Sequence, residues 1–235
     1  MKLQGFNLKL DNKKILIPDW DTASAIKVNE AKFIYDFIKR ENIATTLETG
    51  LAFSRSASHI IAATNNMHIA IDPFQENYKN LGLENLRKIG LDEKLDFRSD
   101  YSHNVLPELS RQGKKFDFIF IDGDHKFDGM LVDFYYSDLL VNSEGFILFH
   151  DTWMRSTRLV ERFIKTNRSD YMHIKTPLRN FTLFQKVGQD KRDGMYFREF
   201  YTKKSLLTHS IIRWMATGKD TFLKRLILKI KDLLK

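Results

Sequence analysis

Phe116-Asp117-Phe118-Ile119-Phe120-Ile121-Asp122-Gly123-Asp124-His125 is the stretch that decides how the chain is read. Five of its first six residues are apolar and of β-favouring type, which marks a strand buried on both faces, as central parallel strands are. The run stops at Asp-Gly-Asp-His, four polar or small residues that suit a working strand end. About twenty-five residues on, a spacing that a crossover helix fills, Gly145-Phe146-Ile147-Leu148-Phe149 repeats the pattern and stops at His150-Asp151. Neighbouring parallel strands bring both polar groups to their carboxyl ends, where open α/β sheets bind ligands. The plainer alternative makes Asp122 and Asp151 caps of the following helices. Two strand ends with matching chemistry weigh against it.

Working outward, a strand–helix alternation begins at Ile43. Strands are expected at Ile43–Leu47, His68–Ile71, Leu95–Arg98 and the two stretches above. Helices are expected near Arg55–Ala63, Asn77–Ile89, after Ser99-Asp100-Tyr101-Ser102 to about Arg111, Gly129–Leu140 and Arg155–Thr166. Tyr171–Lys175 and Phe181–Val187 read as a closing hairpin around Pro177–Asn180. The expected fold is α/β: a Rossmann-like, doubly wound, seven-stranded and mostly parallel sheet with an antiparallel hairpin. Residues 1–40 form a leading segment whose helix, capped by Asp21 or Thr22 and running to Arg40, serves as cover or lid. Residues 41–188 form the nucleotide-binding domain, and 189–235 a helical C-terminal extension.

The chain has 235 residues and no cysteine, which excludes disulfides, thiol catalysis and cysteine-based zinc sites. Its N-terminus lacks a signal-peptide core, and no run is apolar enough to span a bilayer. A cytoplasmic location is expected. The net charge of +8 resides wholly in the segment from Lys191 to Lys235, with twelve basic and four acidic residues. Residues 1–190 balance to zero. In the last segment Leu223, Leu226, Ile227, Ile230, Leu233 and Leu234 form one helical stripe flanked by lysines. Such a stripe rests on an anionic membrane surface, here the inner face, or docks on its own domain or a second subunit in a homo-oligomer. Nucleic acid is disfavoured, since few aromatics interleave with the basic residues.

Strand one leads into Glu48-Thr49-Gly50, and strand two ends in Asp72. An acid about twenty residues after a strand–turn–helix start is the ribose-binding arrangement of nucleotide folds. The loop Gly50-Leu51-Ala52-Phe53-Ser54-Arg55 lacks the glycines that let backbone approach a pyrophosphate, so a nicotinamide dinucleotide is disfavoured and a nucleoside without phosphates is preferred. Asp72 as a turn residue before Pro73 is the competing explanation.

The order Glu-x-Gly, Asp, Asp, Asp-Gly-Asp-His and His-Asp at these strand ends resembles the class I S-adenosylmethionine-dependent methyltransferases. It is most similar to the small O-methyltransferase branch with a DGDH and a later HD motif, over residues 43–187. The resemblance implies a cofactor site that includes Glu48, Gly50 and Ser56, the latter two at the methionine end. It places Asp72 on the ribose, Phe74 on the adenine, and Asp100 and Ser102 at the adenine side, with Asp122 adjoining. The chain is also similar to the catechol and macrolide-sugar O-methyltransferases. That likeness implies a divalent ion, Mg2+ or Mn2+, on Asp122, His150 and Asp151, and a catalytic base at His125. His150 departs from the carboxylate of those relatives, and imidazole favours manganese, iron or zinc over magnesium. An ordinary histidine pKa near about 6.5 suits a base at neutral pH.

The implied function is methyl transfer to a hydroxyl of a sugar, glycan or small molecule, with Asp122 and His125 catalytic and a metal assisting. The alternatives are a metal-free N- or carboxyl-methyltransferase and a non-catalytic membrane-binding module of the same fold.

Overall fold

The structure, a computed structural model, describes residues 12–196. The expected helical tail, from Phe197 on, and its membrane, docking and oligomer roles lie outside the described residues. No helix among the described residues is long and apolar enough to cross a membrane.

Seven strands form one sheet in the order β3-β2-β1-β4-β5-β7-β6. They are β1 (Thr46–Thr49), β2 (His68–Ile71), β3 (Leu95–Arg98), β4 (Phe116–Ile121), β5 (Val141–Phe149), β6 (Tyr171–Ile174) and β7 (Thr182–Lys186). The first five run parallel, while β7 pairs antiparallel with both β5 and β6. Six α-helices lie among the described residues: α1 (Val28–Arg40), α2 (Arg55–Thr64), α3 (Leu81–Lys88), α4 (Ser102–Arg111), α5 (Phe127–Leu140) and α6 (Arg155–Asn167). The α/β expectation holds.

The apolar run of β4 divides by parity, as alternation of side chains along a strand requires. Ile119 and Ile121 pack with residues of α4, α5 and α6, including Leu106, Phe134 and Ile164. Phe118 and Phe120 pack on the opposite layer with Ile34 and Phe37 of α1 and Ile60 of α2. Burial on both faces is why the strand carries almost no polar residue. The strand order reverses between β1 and β4, so their carboxyl ends open a crevice at the switch point.

Several boundaries differ from expectation, β1 running on to Thr49 and β5 starting early, at Val141. Asp21 accepts from the Ser24 amide at 3.1 Å and so closes a local turn, and α1 starts at Val28, six residues later than a helix capped there. Lys79 and Asn80 both sit at left-handed φ (54° and 55°), which shortens the expected Asn77 helix to α3. β1 begins at Thr46, because the amides of Ala44 and Thr45 are held by Asp117. Helix α1 packs on the sheet as a cover.

Candidate functional site

One cleft of about 1110 Å³ runs along the carboxyl rim of the sheet. Its floor begins at Gly50, where φ is +87° and a Cβ would lie 2.2 Å from the Asp122 carbonyl. Only glycine fits there, because the β1–α2 loop crosses directly over the end of β4. The rest of the loop reaches left-handed φ without glycine, at Ala52 and Ser54. Ser54 compensates by donating its buried hydroxyl to the Gly82 carbonyl at 2.7 Å.

Asp72, at the end of β2, is buried and organises that loop. Its Oδ2 accepts from the amides of Leu51 at 3.0 Å and Ala52 at 2.9 Å, and from Gln75 Nε2 at 3.1 Å. Its Oδ1 accepts from the Phe74 amide at 2.7 Å. Phe74 lines the cleft edge-to-face with Tyr101, ring centroids 5.8 Å apart. Ser102, at the start of α4, also lines it, as do Gly50, Ser56 and Asp122.

Two of the expected cofactor residues are absent from the lining. Glu48 is fully buried in β1, on the α2 side, with a carboxylate oxygen 3.5 Å from His68 Nε2. Burial raises its pKa, and strand parity turns it away from the crevice. Asp100 is exposed and folds back on α4, accepting from the Tyr101 amide at 2.7 Å and from Asn104 at 2.9 Å. Tyr101 takes the place in the cleft expected for Asp100.

At the far rim Asp122, His125 and Asp151 converge, their candidate ligand atoms all within 4.8 Å of one another. His125 Nε2 lies 3.1 Å from Asp151 Oδ2 and 3.8 Å from Asp122 Oδ1. Those carboxylates, Asp122 first, push its pKa up to about 9, against the opposing effect of burial. The ordinary value expected for His125 is thereby corrected: at neutral pH it carries a proton. Burial opposes charge on Asp151, yet His125 and His150 hold its carboxyl well below the usual range. Asp151 also sits at φ +50°, strain that a non-glycine residue carries mostly at functional positions.

His150 does not join the metal-capable set. Its Nδ1 lies 2.9 Å from Asp122 Oδ1, and its Nε2 lies 2.8 Å from Asn180 Nδ2 and 3.3 Å from Glu30 Oε2, so both ring nitrogens are engaged by protein. Burial disfavours its charge, but Asp122, Glu30 and Asp151 outweigh it and push the pKa up to about 10. The donor set is therefore Asp122, His125 and Asp151, with His150 holding Asp122 from behind.

Sequence reading missed Glu30, Asn180, Tyr101 and Trp153. Glu30 is the third residue of α1, its carboxylate held by the Lys27 amide at 2.7 Å. Asn180, in the β6–β7 turn, donates to Asp151 Oδ1 at 3.2 Å, and Trp153 Nε1 donates to the same oxygen at 3.0 Å. The one available signal was an exposed-type aromatic directly after His150-Asp151-Thr152.

The family model described as "Methyltransferase domain" matches residues 47–152. Caffeoyl-CoA O-methyltransferase 1 of Eucalyptus globulus is 34% identical over 100 residues, 41% of this chain and 40% of that protein. The Medicago sativa caffeoyl-CoA O-methyltransferase is 34% identical over 101 residues, with the same coverage. The chain thus matches about two-fifths of the length of these relatives. Among solved structures, the Bacillus cereus O-methyltransferase in complex with SAH superposes with TM-score 0.59 at 16% identity, covering 70% of this chain and 83% of that one. TomG of Streptomyces achromogenes, an O-methyltransferase in complex with SAM, gives 0.60 at 18%, covering 70% and 82%. The fold is that of the class I S-adenosylmethionine-dependent methyltransferases.

Proposed function

We propose that the protein is an S-adenosylmethionine-dependent methyltransferase acting on a hydroxyl of a small organic acceptor, a sugar or glycan ring being the preferred class. The observation that carries this reading is the meeting of Asp122, His125 and Asp151 beside the Gly50–Asp72 wall of one cleft. The matched methyltransferase domain and the O-methyltransferase relatives support it.

The residues fit the cofactor. Asp72 Oδ1 accepts one protein hydrogen bond and retains capacity for a ribose hydroxyl. Phe74 and Tyr101 offer apolar ring surface to an adenine, and Gly50 lets backbone approach without a side chain. S-adenosylmethionine supplies a sulfonium methyl open to attack. His125 lies at the rim, where it takes the acceptor proton once cationic charge entering the cleft competes for Asp122 and Asp151 and lowers its pKa. Trp153, 63% exposed, presents a flat face on which a sugar or aromatic ring can rest. Holding oxygen and methyl in line supplies much of the rate.

A divalent ion is a second reading, favoured by the two carboxylates and one imidazole in reach of one point. Asp122, His125 and Asp151 would hold it, and it would lower the pKa of the acceptor hydroxyl. That donor set suits manganese or iron better than magnesium. His125 cannot ligate and accept the proton at once, so the two readings part at this residue.

The test is calorimetry with S-adenosylhomocysteine and with NADH, followed by methyl transfer from labelled S-adenosylmethionine to a panel of sugars, phenols, amines and carboxylates. Micromolar binding of S-adenosylhomocysteine and label on a hydroxyl are expected. Binding of NADH alone overturns the proposal, and label only on amines or carboxylates overturns the hydroxyl assignment. Turnover that survives chelation removes the metal.

A further inference from the structure

The Glu30 carboxylate gathers two backbone positions at the acceptor end of the cleft. The Lys27 amide donates to its Oε2 at 2.7 Å, and Asn180 Nδ2 lies 3.4 Å from its Oε1. Residues 27 and 179–180 therefore flank one buried acid, although they come from the start of α1 and from the β6–β7 turn. Thr152 locks that turn, its hydroxyl donating to the Arg179 carbonyl at 2.7 Å. Asn180 Nδ2 and Trp153 Nε1 donate to the same Asp151 oxygen, at 3.2 and 3.0 Å, so the indole borders the same place. Lys27, Arg179 and Trp153 all line the cleft, and all three are exposed.

The acids of the cleft are already matched. Glu30, Asp122 and Asp151 face His125 and His150. Asp72 accepts four hydrogen bonds from protein, and Asp124 lies 3.8 Å from Lys126 Nζ. Lys27 and Arg179 have no carboxylate within ion-pair distance among the described residues. Glu30 does not serve them, because its oxygens are taken by the Lys27 amide, His150 and Asn180. An exposed cation is ordinarily just solvated. These two differ in that separate elements bring them together beside an aromatic face and the reacting cluster.

The same contacts give a direction to an acceptor. The indole edge is tied to Asp151 Oδ1, and His125 Nε2 lies 3.1 Å from Asp151 Oδ2. A ring resting on Trp153 can thus offer a hydroxyl to His125 on one side and a second substituent to Arg179 and Lys27 on the other. A guanidinium fork takes a carboxylate or phosphate through paired hydrogen bonds, and an ammonium adds a point charge. We propose that the acceptor is an acidic ring alcohol, a sugar carrying a carboxylate or a phosphate, and that Arg179 and Lys27 bind its anionic group while a ring hydroxyl faces His125. The assignment rests on the methyltransferase reading above and narrows its acceptor. The anion itself takes no part in the transfer.

The test is calorimetry on the full chain saturated with S-adenosylhomocysteine. The probes are glucose, glucuronate and glucose 6-phosphate, and the matching forms of galactose and mannose. In at least one series an acidic form is expected to bind on the order of 10- to 100-fold more tightly than its neutral parent, the range of a charge-assisted pair. The uronate and phosphate arms say which anion the site takes. Arg179→Gln and Lys27→Gln, which keep the backbone contacts, should each lose most of that advantage. Their affinity for S-adenosylhomocysteine should stay within about threefold, which also shows that they are folded. Lys126→Gln, a cation of the same cleft that lies beside Asp124, should retain the preference. Wild type that binds S-adenosylhomocysteine but no acidic sugar, or binds neutral and acidic forms alike, overturns the inference and leaves the methyltransferase reading intact. So does an advantage that survives in both variants, or one that Lys126→Gln loses equally. Wild type that does not bind S-adenosylhomocysteine overturns both.

Discussion

Asp72→Ala separates two roles that one carboxylate combines. Asp72 accepts four hydrogen bonds from the protein, from the amides of Leu51, Ala52 and Phe74 and from Gln75. The Leu51 contact is buried, so its amide would lose its partner with no water to replace it, at about 1–3 kcal/mol. The Ala52 and Phe74 amides are only partly buried, and each loses about 1 kcal/mol. Gln75 also donates to the Ala52 carbonyl at 2.8 Å and can keep that bond. Ala52 itself is at φ +41°, a strained conformation that the Asp72 contact holds in place. The sum is about 4 kcal/mol, and for a domain of this size each kcal/mol shifts the melting temperature by about 2–4 °C. Thermal unfolding without ligand should therefore show a drop of about 10 °C. Calorimetry with S-adenosylhomocysteine should show a further loss, of roughly 3 kcal/mol, from the missing ribose contacts. A variant that melts within about 2 °C of wild type refutes the loop-holding role, because so small a shift is under about 1 kcal/mol. A variant that melts early but binds with wild-type affinity refutes the ribose placement.

His125→Ala should abolish turnover while cofactor affinity stays within about threefold, measured by calorimetry and by label transfer at saturating acceptor; near wild-type turnover would remove His125 from the chemistry. The pH dependence of stability has a definite sign. His125 in the folded protein is raised from 6.5 to about 9, so its contribution is fully present below the unfolded value and is lost as pH rises through about 9. Melting temperature should fall between pH 7 and pH 10, and His125→Gln should fall less steeply, leaving the part due to His150, which is raised to about 10; equal slopes would mean that His125 is not charged at neutral pH.

The sheet was legible because β4 and β5 are apolar on both faces, a pattern that parallel strands produce and few other elements do. The strand ends at Asp72, Asp122 and Asp151 were legible for the same reason, since polar residues follow abruptly. Glu48 lies off the cleft lining, which motif order did not show because it locates a residue along the chain and says nothing of strand parity. The Asp100–Tyr101 exchange turns on a single residue in a loop, finer than any periodicity resolves. His150 was misread for a different reason. The groups at its ring nitrogens are Asp122, Asn180 and Glu30, and Glu30 lies 120 residues away in sequence. A side chain's partner across that distance exists only once α1 has packed over the sheet.

The charges at the rim make one further demand that decides between the two catalytic readings. Glu30, Asp122 and Asp151 are three carboxylates, and His125 and His150, both raised well above neutral, are two imidazoliums. With those protons counted the cluster carries one net negative charge, which a monocationic ligand offsets while it competes with His125 for Asp122 and Asp151. A divalent ion on Asp122, His125 and Asp151 needs a lone pair from His125, and so must displace its proton. Neutral His125 leaves the cluster at −2, which matches the ion. Manganese binding near pH 7.5, followed by calorimetry in buffers of differing ionisation enthalpy, should then release about one proton per ion. His125→Ala should abolish both the binding and the release. Binding without proton release would show that His125 is no ligand. No binding at millimolar manganese would remove the manganese reading.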